Sequence, residues 1–353
     1  MKKTILLSIS LFCAVAIFAQ TNYRELGDEM RAAGNYTEAV RWYRLGAEQG
    51  DARAQFNLGW MYGAGRGVPQ NQTEAARWYR LSAEQGNVTA QFNLGLRYNV
   101  GRGVPQNYTE AARWFRLSAK QGNARAQFYL GEMYFVGLGV PQNYTEAARW
   151  FRLSAEQGNV TAQFNLGVMY SHGLGVSQNR TEAVRWYRLS AEQGYAMAQF
   201  NLGTMYNVGR GVPQNYTEAA RWYRLSAEQG NVTAQSNLGV MYAYGLGVPQ
   251  NYTEAVRWYR LSVEQGYAAA QSNLGQMYET GRGVPQNFRE AVRWYRLSAE
   301  QGNAMAQFNL GVMYENGRGV SVNRSEAIRW YRLAAAQGNQ YAIDNLRRFG
   351  FGQ

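Results

Sequence analysis

The chain has 353 residues, 46% of them apolar and 17% charged, with a formal net charge of +12. That is enough apolar chain for a buried core and too little charge for a disordered one. One cysteine and one histidine, Cys13 and His172, exclude a disulfide scaffold, a zinc site and Cys/His catalysis.

The first element stands apart from the rest. Lys2 and Lys3 precede an apolar run from Thr4 to Ala19, which is short for a bilayer span. The pattern reads as a secretory signal peptide over residues 1–19, cleaved before Gln20, with an uncleaved anchor as the alternative. Cys13 lies inside the apolar run and not after it, so it is not read as a lipidation site. The chain is therefore expected to be exported, to a bacterial periplasm or beyond the cell. No later stretch is apolar enough to span a membrane.

From there the chain is periodic. Trp42, Trp78, Trp114, Trp150, Trp186, Trp222, Trp258, Trp294 and Trp330 recur every 36 residues, and only Trp60 falls outside the series. Residues 20–50 form an incomplete first unit, residues 51–338 eight units of 36 residues, and residues 339–353 a closing half unit. One such unit cannot bury its own apolar face, so the units must stack. In the unit 51–86, Ala54, Leu58, Met61 and Tyr62 recur at helical spacing and define a helix A. Ala75, Trp78, Tyr79 and Ala83 define a helix B in the same way. Asn71 fits the N-cap of helix B, with Glu74 completing a capping box, and Gly86 fits the stop after it. Asp51, or asparagine in most other units, caps helix A. Helix A keeps a glycine, Gly59, which predicts close approach by a neighbouring helix, and the helix B tryptophan is expected to pack between hairpins. No stretch reads as a strand, so the fold class is all-α.

Ala54, Leu58, Gly59, Tyr62, Gly65, Gly67, Val68, Ala75, Trp78, Ala83 and Gly86 together resemble the Sel-one-like repeat, a longer-looped relative of the tetratricopeptide repeat. The resemblance covers essentially all of the chain after the leader. It implies a right-handed superhelical α-solenoid of helix-turn-helix units that binds proteins, with helix A lining a concave groove. The shorter turn at residues 31–39 resembles a plain tetratricopeptide turn and marks an N-terminal cap, and residues 340–350 resemble a lone helix A. Cysteine-rich members of the family have been linked to β-lactamase or penicillin binding. That chemistry needs a serine three residues before a lysine, and Lys120 has Leu117 there, so no enzyme is expected.

Near-identical units can encode a unique site only where they differ. Most variation falls at unit positions 3, 10, 13 and 14, a stripe on one face of helix A. Position 10 supplies Trp60, Leu96, Thr204 and Gln276 as candidate partner contacts, and Glu132 in a further unit. Position 13 supplies Phe135, Glu279 and Glu315, and position 14 His172 and Tyr244. Drift at solvent-facing positions is the competing explanation of this variation.

A second candidate surface is basic. Helix B arginines are expected to be neutralised within the helix, as in Glu74 with Arg77 and Arg80 with Glu84. The excess charge then comes from Arg66, Arg102, Arg210, Arg282 and Arg318 in loops and Arg53, Arg97 and Arg125 on helix A, a surface suited to anionic glycans. Export argues against nucleic acid as the partner. The loop containing Arg66 is glycine-rich, but it follows a helix and lacks the glycine spacing of a phosphate-binding turn. Eleven N-x-S/T sequons coincide with the asparagine caps, which explains their number. No cofactor and no metal are expected.

Overall fold

The computed structural model describes residues 22–351, so the expected leader with Cys13 lies outside the described residues. Among the described residues there are nineteen α-helices and no strand. They fall into two compact units, residues 22–169 with 173–177, and residues 170–172 with 178–351. The first holds α1 (Tyr23–Ala32), α2 (Tyr36–Glu48), α3 (Ala52–Ala64), α4 (Gln72–Glu84), α5 (Val88–Val100), α6 (Tyr108–Lys120), α7 (Ala124–Val136), α8 (Tyr144–Glu156) and most of α9 (Val160–His172). The second holds α10 (Arg180–Glu192), α11 (Ala196–Val208), α12 (Tyr216–Glu228), α13 (Val232–Tyr244), α14 (Tyr252–Glu264), α15 (Ala268–Thr280), α16 (Phe288–Glu300), α17 (Ala304–Asn316), α18 (Arg324–Ala336) and α19 (Gln340–Arg348). Odd-numbered helices are helix A and even-numbered ones helix B. Within each compact unit successive helices pack on one another, giving an all-α solenoid of repeated hairpins. Residues 33–35 alone link α1 to α2, where residues 65–71 link α3 to α4.

The helix ends follow from local chemistry. Asn71 Oδ1 accepts the backbone N–H groups of Thr73 and Glu74 at 3.1 and 3.0 Å, and Asn107 and Asn143 cap α6 and α8 by accepting the N–H of Glu110 and of Glu146, each at 3.0 Å. The capping box is not completed. The Asn71 N–H already donates to the Tyr62 carbonyl at 2.9 Å, and the Glu74 carboxylate turns to Arg77 at 3.2 Å. Helix A is capped by Asp51 or asparagine except at α11 and α15, where Tyr195 and Tyr267 stand at the cap and make no side-chain bond to it.

The tryptophans lie between hairpins as expected. Trp78 packs with Tyr43 and Ala47 of α2 and with Ala54, Leu58 and Met61 of α3. In the second compact unit Trp258 packs with Tyr223 of α12 and with Leu238 and Met241 of α13. Helix A glycines mark where a helix B ring lies flat against the neighbouring helix. A Cβ at Gly95 would stand 2.7 Å from the Phe115 ring, and one at Gly275 2.7 Å from Tyr295.

Buried polar ladders hold successive hairpins in register. Ser118 Oγ donates to the Val88 carbonyl at 2.8 Å, and Ser226 Oγ to that of Ala196 at 2.7 Å. Gln91 Nε2 donates to the Ala83 carbonyl at 3.1 Å while its Oε1 accepts from Gln121 at 2.8 Å. Each bond satisfies a polar group that would otherwise be stranded in the core.

Candidate partner-binding face and its pocket

The variable stripe is less uniformly exposed than its polarity suggests. Tyr244 is 61% exposed and Trp60 36%, and His172 and Gln276 are also exposed. Leu96, Phe135, Thr204, Glu279 and Glu315 are half-buried. The reason lies one layer below, in the buried ring of helix B. The hydroxyl of Tyr295 donates to Glu279 Oε2 at 2.7 Å, and that of Tyr331 to Glu315 Oε2 at 2.6 Å. Tyr223 meets Thr204 Oγ1 at 3.2 Å, and Tyr43 donates to Asp28 at 2.7 Å in the first repeat. The acid at position 13 in these two units, like Thr204 at position 10, thus serves the need of a buried phenol for a partner. Burial, with the carboxylate beside it, pushes the pKa of Tyr295 and of Tyr331 far up. Glu279 and Glu315 also pair with Arg318 at 3.7 Å and with Arg348. They are therefore engaged within the protein and are not free contacts. Glu279→Ala is expected to destabilise the second compact unit by about 1–3 kcal/mol, by stranding the phenol. In Tyr295→Phe/Glu279→Ala part of that loss should return, and a double-mutant cycle by urea unfolding would measure it.

The basic surface is also partly spent internally. Arg66, Arg282 and Arg318 lie over the rings of Tyr36, Tyr252 and Phe288 at 5.0, 5.3 and 5.9 Å, and Arg66 donates to the Tyr36 hydroxyl at 2.6 Å. Arg102 and Arg210 are exposed, in loops that adjoin Gln72 and Arg180 where the others adjoin a ring. Arg97 is no surface charge: it is buried over the Tyr79 ring and donates to Gln72 Oε1 at 3.0 Å and to the Arg102 carbonyl at 3.2 Å. Burial pushes its pKa down. The first helix B arginine does pair with its glutamate, as in Arg113 with Glu110 at 3.2 Å. The second departs from expectation. Arg116 donates to the Tyr134 hydroxyl of the next helix A at 2.9 Å, and Arg80 reaches Tyr98 instead of Glu84. The phenol lies across the inter-repeat groove, and its bond ties two hairpins where an exposed ion pair would add little. These arginines border recurrent shallow grooves of 390–410 Å³, with Arg41 and Arg44 beside Val68, and Arg257 and Arg260 beside Val284.

The one repeat that breaks the pattern in several places at once is that of α7 and α8. Tyr129 replaces the asparagine that the seven other full units have at position 7 (Asn57 and Asn93, for example), and Phe135 brings a ring to position 13. Phe115 and Phe151 stand where other full units have tyrosine. In the second compact unit the phenol is shared between a variable helix A residue and the asparagine of the next repeat, as Tyr223 is between Thr204 and Asn237 and Tyr295 between Glu279 and Asn309. Without a hydroxyl, that polar relay gives way to rings. Tyr129 stacks on Phe115 at 5.2 Å, and Phe135 packs against Phe151 at 6.4 Å and edge-on to Tyr144 at 5.3 Å. The result is a cavity of about 420 Å³ within the first compact unit, between α5, α7, α8 and α9, with Asn99 and Asn165 also in its wall. Glu132 projects into it, and burial raises its pKa above the ordinary carboxylate value. Of this group the variable stripe holds Phe135, a candidate contact, and Glu132, the position 10 residue of that unit. The readable clue to the rings around them was the substitution of Tyr129 for asparagine, outside the four most variable positions.

Among the described residues no group of His, Cys, Asp and Glu could hold a metal ion, and no helix is long and apolar enough to cross a membrane.

Comparison with known proteins accords with this architecture. The Sel1 repeat model matches nine consecutive segments, residues 24–51, 52–87, 88–123, 124–159, 160–195, 196–231, 232–267, 268–303 and 304–339. The chain is similar to c5321, a protective antigen present in uropathogenic Escherichia coli strains that displays an SLR fold. Their identity is 41% and the TM-score 0.79, covering 89% of this chain and 68% of that one. It is also similar to a Sel1 repeat protein from Oxalobacter formigenes, at 35% identity and a TM-score of 0.64, covering 88% and 89% of the two chains. The comparison with curated proteins gave no match. Nine tandem matches spanning almost every described helix, with two solved relatives above one-third identity, make this chain a member of the Sel1 repeat family.

Proposed function

We propose that this protein is an exported, non-catalytic scaffold that holds a segment of a partner protein on its helix A faces, in the envelope or in contact with host proteins. The observation that carries this reading is the exposure of Trp60 and Tyr244 on the variable face of a chain that buries most of its repeat tryptophans. Large aromatic side chains at solvent-facing, repeat-specific positions are the usual anchors of protein interfaces. Export is supported by Lys2, Lys3 and the apolar run after them, and by the description of the E. coli relative as a protective antigen.

The test is affinity capture from envelope and culture fractions with wild type and Trp60→Ala/Tyr244→Ala, which leaves the half-buried Phe135 untouched. A protein held by wild type and lost by the variant, at equal helicity, is expected. Retention of no protein by wild type would overturn the scaffold reading. A second reading, a binder of anionic glycans, is favoured by the arginine-bordered grooves that recur along helix B. Polysaccharide binding that both proteins share and that salt abolishes would support it instead. A β-lactamase-type hydrolase has the least support, and background-level hydrolysis of a chromogenic cephalosporin is expected.

A further inference from the structure

The aromatic cavity of α7 and α8 contains a contradiction that a ligand would resolve. Glu132 has no hydrogen-bond or ion-pair partner among the described residues, and the cavity around it is walled mostly by rings and aliphatic groups, with the uncharged amides of Asn99 and Asn165 the other polar side chains. Half-burying a lone carboxylate is unfavourable, and other units have Leu96, Val168, Thr204 or Val240 at this position without harm to the fold. Nor is a counter-charge scarce, since the chain has 33 arginines. The arginines on neighbouring elements are engaged elsewhere: Arg97 with Gln72, Arg113 with Glu110, Arg116 with Tyr134, Arg125 over the Phe92 ring at 4.6 Å, and Arg149 with Glu146. The cation that would balance Glu132 is therefore missing from the protein itself.

We infer that this cavity receives an arginine side chain presented by the partner protein, its guanidinium paired with Glu132 and laid against the rings of Tyr129, Phe135 and Phe151. A guanidinium is planar, stacks on aromatic faces and forks onto a carboxylate, whereas an ammonium is a more strongly hydrated point charge. Asn99 and Asn165 bring amide groups to the same wall, suited to the guanidinium N–H groups that the carboxylate leaves unpaired. The cavity of about 420 Å³ has room for the whole side chain and the backbone that carries it. The inference rests on the scaffold reading and specifies what one part of the partner must look like.

The test uses two small probes, acetyl-Gly-Arg-Gly-amide and the same tripeptide with citrulline, which keeps the shape and removes the charge. Binding is followed by saturation-transfer NMR on wild type and Glu132→Gln. Saturable binding of the arginine probe is expected, with the citrulline probe about tenfold weaker. Glu132→Gln should weaken the arginine probe by a similar factor and leave the citrulline probe unchanged. The same variant should be at least as thermostable as wild type, because it removes an uncompensated charge. Equal affinity for both probes, unchanged binding by Glu132→Gln, or no saturation by the arginine probe would each overturn the inference. Self-association of wild type that Glu132→Gln abolishes would overturn it too, in favour of a second copy as the occupant. If the probe fails while the capture experiment still yields a protein lost by Trp60→Ala/Tyr244→Ala, the cavity assignment falls and the scaffold reading stands.

Discussion

Raising the pH from 10 to 11 is expected to unfold the second compact unit while the first keeps most of its helix. An unfolded tyrosine ionises near pH 10. Burial pushes the hydroxyls of Tyr187, Tyr223, Tyr259, Tyr295 and Tyr331 above that value in the second unit, Tyr187 to about 12. In the first unit it does so for Tyr43 and Tyr79, and the equivalent places in α6 and α8 hold Phe115 and Phe151. A folded phenol with a raised pKa keeps a proton that the unfolded chain gives up, so its contribution to stability is complete below pH 10 and falls as the pH rises above it. The loss is on the order of 1 kcal/mol per tyrosine by pH 11. Tyr187, Tyr259, Tyr295 and Tyr331 then remove roughly 4–5 kcal/mol, comparable to the whole stability of a domain, with Tyr223 acting in the same direction. In the first unit Tyr43 removes about 1 kcal/mol, and Tyr79 acts in the same direction. Far-UV circular dichroism read together with tyrosinate absorbance would follow the transition, and limited proteolysis would assign it to residues. Tyr259→Phe removes one titrating hydroxyl that has no carboxylate partner, and should move the alkaline midpoint up. Tyrosine ionisation that proceeds smoothly from pH 10 with no loss of ellipticity would refute the account.

What the sequence made legible was local or strictly periodic. The Asn71 cap, the Gly86 stop and the Trp78 register each depend on a few neighbouring residues and a fixed repeat, and the structure has all three. Gly59 announced a close approach, and the Tyr79 ring is what approaches, at 3.0 Å from where a Cβ would stand. Pairings across hairpins were not legible, because opposite-charge spacing within one helix offered a simpler answer. Arg80 has Glu84 one turn away and chooses Tyr98, 18 residues on. Glu279 and Glu315 looked like free acidic contacts until the hydroxyls of Tyr295 and Tyr331 were found beneath them. The cavity escaped for a related reason. Tyr129, Phe135 and Phe151 are separate substitutions at distant places in the repeat, and only their convergence around Glu132, with Phe115 stacked behind Tyr129, gives them chemical meaning.

Gly103→Ala is expected to cost at least about 4 kcal/mol, the range reserved for disruption of a core, whereas Gly122→Ala should cost about 1 kcal/mol. Both glycines have a left-handed backbone, with φ of +77° and +91°. Alanine therefore suffers the same conformational penalty of about 1–2 kcal/mol at either place. They differ in what a side chain would meet. Around Gly122 nothing lies within 4 Å of a Cβ, but at Gly103 the Cβ would overlap the carbonyl of Gln72, at the start of the preceding helix B. A carbonyl in the first turn of a helix cannot rotate away without breaking that turn, so the two hairpins must separate. Separation would open the packing of Trp114 against Tyr79 and release Arg97 from Gln72. The glycine that follows the loop arginine is thus the point where one repeat is fastened to the one before it, and the glycine after helix B is only a turn. Urea unfolding of the two variants, with hydrogen exchange to locate the loss, would separate these roles. Similar destabilisation by both substitutions would mean that backbone conformation alone governs these loops.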